Sequence, residues 1–284
     1  MHSHDATGPL AQVEQHMREL VQLHPGQAAD AVLGHLDAGG SRMRARLALH
    51  ACRALAVPSD AATAIAAACE LLHNASLVHD DLQDRDTERR GRQAVWRVYG
   101  DETAICAGDL LLSAAYASLV GAGPASVALT MAMHARISAV IHGQVADLAL
   151  QGGGLACIET YRKVAAAKSG PLLILPLDLA LRMSGRVDAI EMAEDAGTLF
   201  AMGYQMADDL DDVEKDAIGR GLNIVAVLTA QGNPQPSAVA RGMAIDSYRR
   251  CAAVAANLPL DSGALLALQA EQRAAVLAGA LAPA

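Results

Sequence analysis

The sequence predicts an all-α fold, one large single-domain helical bundle over residues 1–284, and three observations carry that reading. Hydrophobic residues make up 52% of the chain but aromatics only 2%, with one Phe and one Trp. The core must therefore be filled by Ala, Leu, Val, Ile and Met, which apart from Val and Ile favour helices. Strand signals are nearly absent: neither period-2 alternation nor Asn-Gly or Asp-Gly hairpin turns between β-branched runs occur. Apolar helical patterns instead recur between Gly- and Pro-bearing breaks.

Taken in order, the patterns run over residues 9–24 from Pro9, 25–37 from Pro25, 41–56 after Gly39-Gly40, and 59–79 after Pro58. Residues 101–120 follow Gly100, 125–150 follow Gly123-Pro124, and 158–170 follow Gly152 to Gly154. Pro171 opens 171–183 and Gly185 precedes 187–212; the last three patterns are 222–231, 238–256 and 263–281. Segments 61–72 and 192–206 are apolar or small almost all round, which marks helices buried at the centre of a bundle. Neither long linkers nor repeats of 20–50 residues divide the chain.

Composition excludes several function classes. A formal charge of −9 argues against a nucleic-acid surface, which needs clustered Lys and Arg. Five scattered cysteines without a C-x-x-C spacing indicate neither a disulfide framework nor zinc, and reduced thiols in a cytoplasmic protein are expected. The amino-terminal MHSHDATGPL lacks the basic and apolar regions of a secretory signal. No membrane span is expected, because no apolar run of about 18 residues is without a charge or breaker.

Two segments break the apolar pattern in the same way. One apolar helix ends in Asp80-Asp81-Leu82-Gln83-Asp84, and another in Asp208-Asp209-Leu210-Asp211-Asp212. Positions i and i+4 lie about 40° apart around a helix, so Asp80 shares a face with Asp84, and Asp208 with Asp212. Like charges so placed are destabilising, by a few tenths of a kcal/mol when exposed and more when sheltered. A hard divalent cation compensates them, and magnesium takes one or two carboxylates together with substrate phosphates. Two such helix ends facing across a bundle would clamp a metal-bound diphosphate. The first is followed by Arg85, Arg89, Arg90 and Arg92, which can hold phosphate oxygens.

These residues resemble the trans-prenyl diphosphate synthase (polyprenyl synthetase) family, which includes farnesyl and geranylgeranyl diphosphate synthases. Residues 70–81, followed by Arg89-Arg90-Gly91-Arg92, are similar to its first aspartate-rich motif and Arg-Arg-Gly tail. Gly39-Gly40-Ser41-Arg42-Met43-Arg44 resembles its G-G-K-R-x-R segment, and Ala107-Gly108-Asp109-Leu110-Leu111 its A-G-D-x-L segment. Gly143-Gln144 with Asp147, then Lys168-Ser169, then Gln205 through Asp212 complete the order, so the similarity covers roughly residues 31–228.

The resemblance implies an isoprenoid-synthase bundle with a central cavity, a homodimer, and joining of an allylic diphosphate to isopentenyl diphosphate. It implies Asp80, Asp81, Asp84, Asp208, Asp209 and Asp212 as ligands of three magnesium ions. Arg89, Lys168 with Ser169, and Gln205 match contacts to the allylic diphosphate, and Arg44, His73 and Arg90 contacts to isopentenyl diphosphate. Small residues at Ala75 and Ser76, just before Asp80, imply a product of about C20 or longer.

Two departures stand out. Ser41 replaces the usual Lys, with Arg42 as the candidate substitute, and residues 213–223 are short and end in Leu222-Asn223. Lys215 or Arg220 is the candidate replacement for a phosphate contact there. Because of these departures two other readings stay open: a class I cyclase or prenyltransferase with a different acceptor, and a noncatalytic partner subunit.

Overall fold

Proline and glycine set the limits of the helices much as the sequence suggests. The computed structural model describes residues 8–150, 157–211 and 223–279. Its helices begin with α1 (Pro9–Val21), which has Pro at its first position, where the missing N–H costs nothing. Next come α2 (Gln27–Asp37), α3 (Met43–Ala54) and α4 (Ser59–Gln83). A two-stranded antiparallel hairpin, β1 (Glu88–Arg89) and β2 (Arg92–Gln93), leads to α5 (Val95–Tyr99) and α6 (Asp101–Ser118). A 3-10 stretch, Leu119–Ala125, carries Pro124 into α7 (Ser126–Leu150). The remaining helices are α8 (Ile158–Met183), α9 (Ile190–Asp211), α10 (Ile224–Ala230), α11 (Pro236–Ala255) and α12 (Ala264–Leu277).

The all-α expectation holds, and the segments differ from it at two places. Residues 158–170 and 171–183 form one helix, α8, with Pro171 and Pro176 inside it. Its parts Ile158–Ala167 and Gly170–Met183 meet at a 47° bend, as a ring that removes a helix hydrogen bond and crowds the preceding turn requires. The hairpin and α5, between residues 88 and 99, have no counterpart in the helical periodicity.

The chain divides into two compact units, Met1–Met131 with Leu179–Gly185, and Ala132–Asp178 with Arg186–Ala284. In the first, α4 packs against α1, α3, α5 and α6. Its residues Ala61, Ala62 and Ala64 through Leu72 are all buried, as the all-round apolar pattern of 61–72 predicts. Alanine on this helix admits close neighbours: a methyl group on Gly121 would lie 3.1 Å from the Cβ of Ala64. Larger residues such as Ile65 and Leu71 each contribute about 1.5–3 kcal/mol by full burial.

In the second unit α9 packs on α10 and α11, and α11 on α12. The core here includes Tyr161, Met206, Ile224, Val225 and Leu228. Residues 192–206 are not buried all round, contrary to expectation, because Met192 and Tyr204 are exposed. Only the face bearing Ala193, Ala196, Gly197 and Phe200 is inside. Gly197 is small because Ile174 lies against it, 2.8 Å from where a Cβ would stand. Arg136 of α7 joins the buried Asp178 of α8 to Glu194 of α9, with Nε donating to Asp178 Oδ2 at 2.8 Å.

None of the five cysteines is in a disulfide. Among the described residues two helical stretches are long and apolar enough to cross a membrane, Ser59–Gln83 and Asp101–Ala146, and the bent α8 makes a third if taken as one span. In Ser59–Gln83, 78% of the apolar window is covered by protein; in Asp101–Ala146 the share is 44%.

Candidate functional site

α4 ends against the grain of its own electrostatics. Asp80 and Asp81 stand in its last turn, Asp84 is its C-cap, and no basic residue lies in that turn. Carboxylates there face the negative end of the helix dipole as well as one another. The partner of Asp81 comes from the hairpin: Arg89 Nε donates to Asp81 Oδ1 at 2.8 Å, with Nη2 of the same guanidinium also on that oxygen. The other oxygen, Oδ2, is buried and has no hydrogen-bond partner among the described residues. Burial first, partly offset by Arg89, leaves the Asp81 carboxyl above the usual carboxylate range.

The turn between the strands is Arg90-Gly91, with φ of 54° and 72°. Positive φ at both residues is what a tight two-residue hairpin needs. It turns Arg90 back over the loop between α2 and α3, where Nη1 donates to the carbonyl of Gly39. The guanidinium lies flat on Gly40, at which a Cβ would stand 2.6 Å from Arg90 Cζ. Gly40 therefore makes room for Arg90, while Gly39 has open space beside it and a left-handed backbone at φ 77°.

Arg42, the candidate substitute for the missing lysine, is turned inward. It is buried in the left-handed region at φ 49°, with Nε donating to Glu14 Oε1 at 3.0 Å and Nη2 to Leu36 O at 2.8 Å. Its guanidinium, expected at the substrate, ties α1 to the end of α2.

Behind the arginines runs a buried polar ladder. Glu70 accepts from the N–H of Ala45 at 3.1 Å, and so caps α3. Asn74 Nδ2 donates to Glu70 O at 2.7 Å, and Asn74 Oδ1 lies 3.0 Å from His35 Nε2. Burial, then Arg90, pushes the His35 imidazole down to about 4. His73 is also held well below 6.5, by burial and then by Arg44 and Arg90, and its Nδ1 has no hydrogen-bond partner among the described residues. A hollow of about 350 Å³ opens beside Arg89, lined by Gly34, His35, Arg92, Val98 and Tyr99.

A pH dependence follows from His35. The unfolded imidazole takes its proton near 6.5 and the folded one near 4, so between these values the unfolded state binds more protons and stability rises with pH. Unfolding by urea is expected to show a loss of about 3 kcal/mol from His35 as pH falls across that window. His35→Gln should flatten the profile by one proton; an unchanged slope would contradict the assignment.

In the second unit the acidic end of α9 divides into two roles. Asp208 is exposed, whereas Asp209 is buried and held on both oxygens. Gln205 Nε2 donates to Asp209 Oδ1 and the N–H of Ile224 to Oδ2, each at 2.8 Å. Asn223 Nδ2 donates to the carbonyl of Asp209, and Asn223 Oδ1 caps α10 by accepting from Val225 N, both at 2.8 Å. Thus Asp209, expected as a metal ligand, anchors the start of α10. Asn223, half of the Leu-Asn departure, completes that anchor. Asp212, Lys215 and Arg220 lie outside the described residues, as do the side chains of Asp147, Lys168 and Ser169.

Among the described residues no three His, Cys, Asp or Glu side chains already cluster as a metal site. The donor set still suits magnesium, which needs few protein carboxylates when phosphate and water complete its shell. The buried, unbonded Asp81 Oδ2 at a repulsive helix end is the observation that favours a cation there.

A family profile described as polyprenyl synthetase matches residues 26–223, within about five residues of the span read from the motifs. The chain belongs to the polyprenyl synthetase family. It is 31% identical over 200 residues to a (2E,6E)-farnesyl diphosphate synthase of Mycobacterium tuberculosis, covering 70% of this chain and 56% of that one. It is 32% identical over 191 residues to a geranylgeranyl pyrophosphate synthase of Geoglobus acetivorans, covering 66% and 60%. The chain thus spans little more than half the length of the curated polyprenyl synthetases it matches. Among solved structures, a geranylgeranyl pyrophosphate synthetase from Geoglobus acetivorans superposes with a TM-score of 0.84 at 22% identity, covering 94% of this chain and 97% of the other. A decaprenyl diphosphate synthase from Rhodobacter capsulatus does so with a TM-score of 0.84 at 20% identity, covering 95% and 96%. These likenesses establish the isoprenoid-synthase fold.

Proposed function

We propose that this polyprenyl synthetase is a magnesium-dependent trans-prenyltransferase that joins an allylic diphosphate to isopentenyl diphosphate, working as one domain. The single observation that carries it is the end of α4, where Arg89 folds back on a buried aspartate whose second oxygen has no hydrogen-bond partner among the described residues. Asp80, Asp81 and Asp84, with Asp208 and Asp212, are the proposed ligands of three ions. Magnesium, when bound, neutralises charge on the departing pyrophosphate.

The chain's own residues do the rest. Arg89, Lys168, Ser169 and Gln205 hold the allylic diphosphate while its C–O bond breaks, and preorganised cations need no rearrangement as charge grows on the leaving oxygen. Arg44, Arg90 and the neutral His73 hold isopentenyl diphosphate, whose double bond supplies the electron pair for the new C–C bond. The released pyrophosphate accepts the proton then lost. The apolar wall of α4 keeps out water that would quench the allylic cation.

Incubation with magnesium and dimethylallyl, geranyl or farnesyl diphosphate, with and without isopentenyl diphosphate, tests this by product mass. Elongation is the expected result. Hydrocarbons formed without isopentenyl diphosphate would replace it with a cyclase, and no turnover at all with a noncatalytic subunit.

The proposed product is about C20 or longer. Ala75 is buried and Ser76 half-buried, with Ser76 Oγ donating to His73 O at 2.8 Å. Ser76→Phe is expected to shorten the main product by at least one five-carbon unit, read by mass, and an unchanged chain length would remove the argument. The larger side chain costs about 1–3 kcal/mol of overpacking at most sites, so folding is checked alongside.

A cytoplasmic homodimer is also proposed. On α7, Val127 and Met131 are exposed one turn apart in the first unit, and Ile141 and Val145 in the second, where a second copy would cover them. Met131→Lys, at an exposed position, should yield a monomer in sedimentation.

A further inference from the structure

The Ala107-Gly108-Asp109 segment has no part in the chemistry above, yet it lies against the residue that precedes the first aspartate. The ring of His79 sits on the bare Cα of Gly108. A Cβ at that position would stand 2.1 Å from His79 Nε2, 2.4 Å from Cδ2 and 2.7 Å from Cε1. Real side chains do not approach so closely, so any residue larger than glycine must expel the imidazole. Glycine within a helix costs about 1 kcal/mol relative to alanine, and here the close approach of His79 accounts for it. The contact is more than steric. His79 Nε2 points to the carbonyl of Ile105 at 3.4 Å and stands 3.7 Å from Asp109 Oδ1.

We infer that Gly108 and His79 are positioning residues for the catalytic end of α4: the glycine is a seat, and the histidine locks into it to hold Asp80 and Asp81 in their bearing. The physical case rests on what that end of the helix lacks. Asp80, Asp81 and the capping Asp84 repel one another, the dipole adds to the repulsion, and no basic side chain stands in the last turn. Left to itself such a turn frays. The neighbouring His79 ring, inserted against α6 and directed at a backbone carbonyl, fastens the turn to a helix that packs along α4. Residue 79 is one position from Asp80 and two from Asp81, so its fixation sets the direction of both carboxylates. The inference rests on the proposed reaction for its consequence, while the anchoring can be measured without it.

The experiment compares the parent with His79→Ala, Gly108→Ala and the double variant. Hydrogen exchange of the amides of residues 77–84 is measured on metal-free protein. Thermal shifts are measured with magnesium and inorganic pyrophosphate, and magnesium titrations of elongation follow. His79→Ala introduces no clash, so it remains informative if Gly108→Ala fails to fold. Each single variant should speed exchange at 77–84 at least tenfold, with helical content unchanged. Each should also raise the magnesium concentration for half-maximal activity about fivefold or more.

The decisive result is coupling. Once His79 is alanine, Gly108→Ala should add no more than a twofold change, because nothing remains for its methyl group to displace. Unchanged exchange and unchanged magnesium dependence in His79→Ala would overturn the inference, as would full additivity in the double variant. A parent without elongation or a magnesium-dependent pyrophosphate shift would overturn the proposed reaction, leaving the exchange data to decide the anchor.

Discussion

Asp80→Ala and Asp208→Ala are each expected to lower kcat by about a thousandfold or more, with the helical content intact. Each removes a carboxylate proposed to orient a divalent ion against the leaving diphosphate. Such charge stabilisation is worth several kcal/mol, and about 4 kcal/mol corresponds to roughly a thousandfold. Neither side chain is in the buried class: Asp80 is half-buried at the end of α4 and Asp208 exposed on α9, so truncation opens little space. Asp209→Ala should behave differently, unfolding at lower urea concentration because it abolishes the bonds from Gln205 and Ile224. Steady-state kinetics beside unfolding curves separates the cases. Equal loss of stability in Asp80→Ala and Asp209→Ala would end the division of roles drawn here.

The largest stability effect is expected in the second unit. Asp178 is almost wholly buried, at 1% exposure, and its carboxylate answers the half-buried guanidinium of Arg136. Burial opposes the charge on Arg136, but Asp178 and then Glu194 more than restore it. Asp178→Ala would leave that charge facing the more exposed Glu194, and losses of about 3–5 kcal/mol are typical when one member of a buried pair is removed. Replacing both, Arg136→Met with Asp178→Leu, should recover much of the loss, since well-packed apolar groups often match a buried ion pair. Urea midpoints decide it; a double variant no better than Asp178→Ala would show that other contacts of Asp178 dominate.

The helices were legible because Ala, Leu and Val at helical spacing leave little else to form, and Gly or Pro marks most ends. Pro171 misled because a proline in the sequence reads as a stop, whereas tertiary packing carries α8 through it with a bend. The acidic pairs were legible as anomalies, carboxylates at the wrong end of apolar helices. What the sequence withheld was the partner of each polar group. Arg42 and Arg44 look alike in a basic segment, and only the left-handed backbone at Arg42 shows that its charge is turned inward to Glu14. Asp208 and Asp209 are likewise adjacent and identical, yet a helix turns neighbours about 100° apart, so one is exposed and the other is buried against α10. Glu70 and Asn74, four apart on the buried face of α4, were the overlooked signal for the buried ladder.

The loop after α4 also carries a natural optical reporter. Trp96, the chain's one tryptophan, donates from Nε1 to Asp86 O at 2.7 Å, and the guanidinium carbons of Arg85 and Arg97 lie 5.1 and 5.3 Å from its ring centre. Emission from the whole protein on selective excitation therefore comes from a single indole beside the acidic turn. Any rearrangement of that loop would register as a spectral change with no label attached.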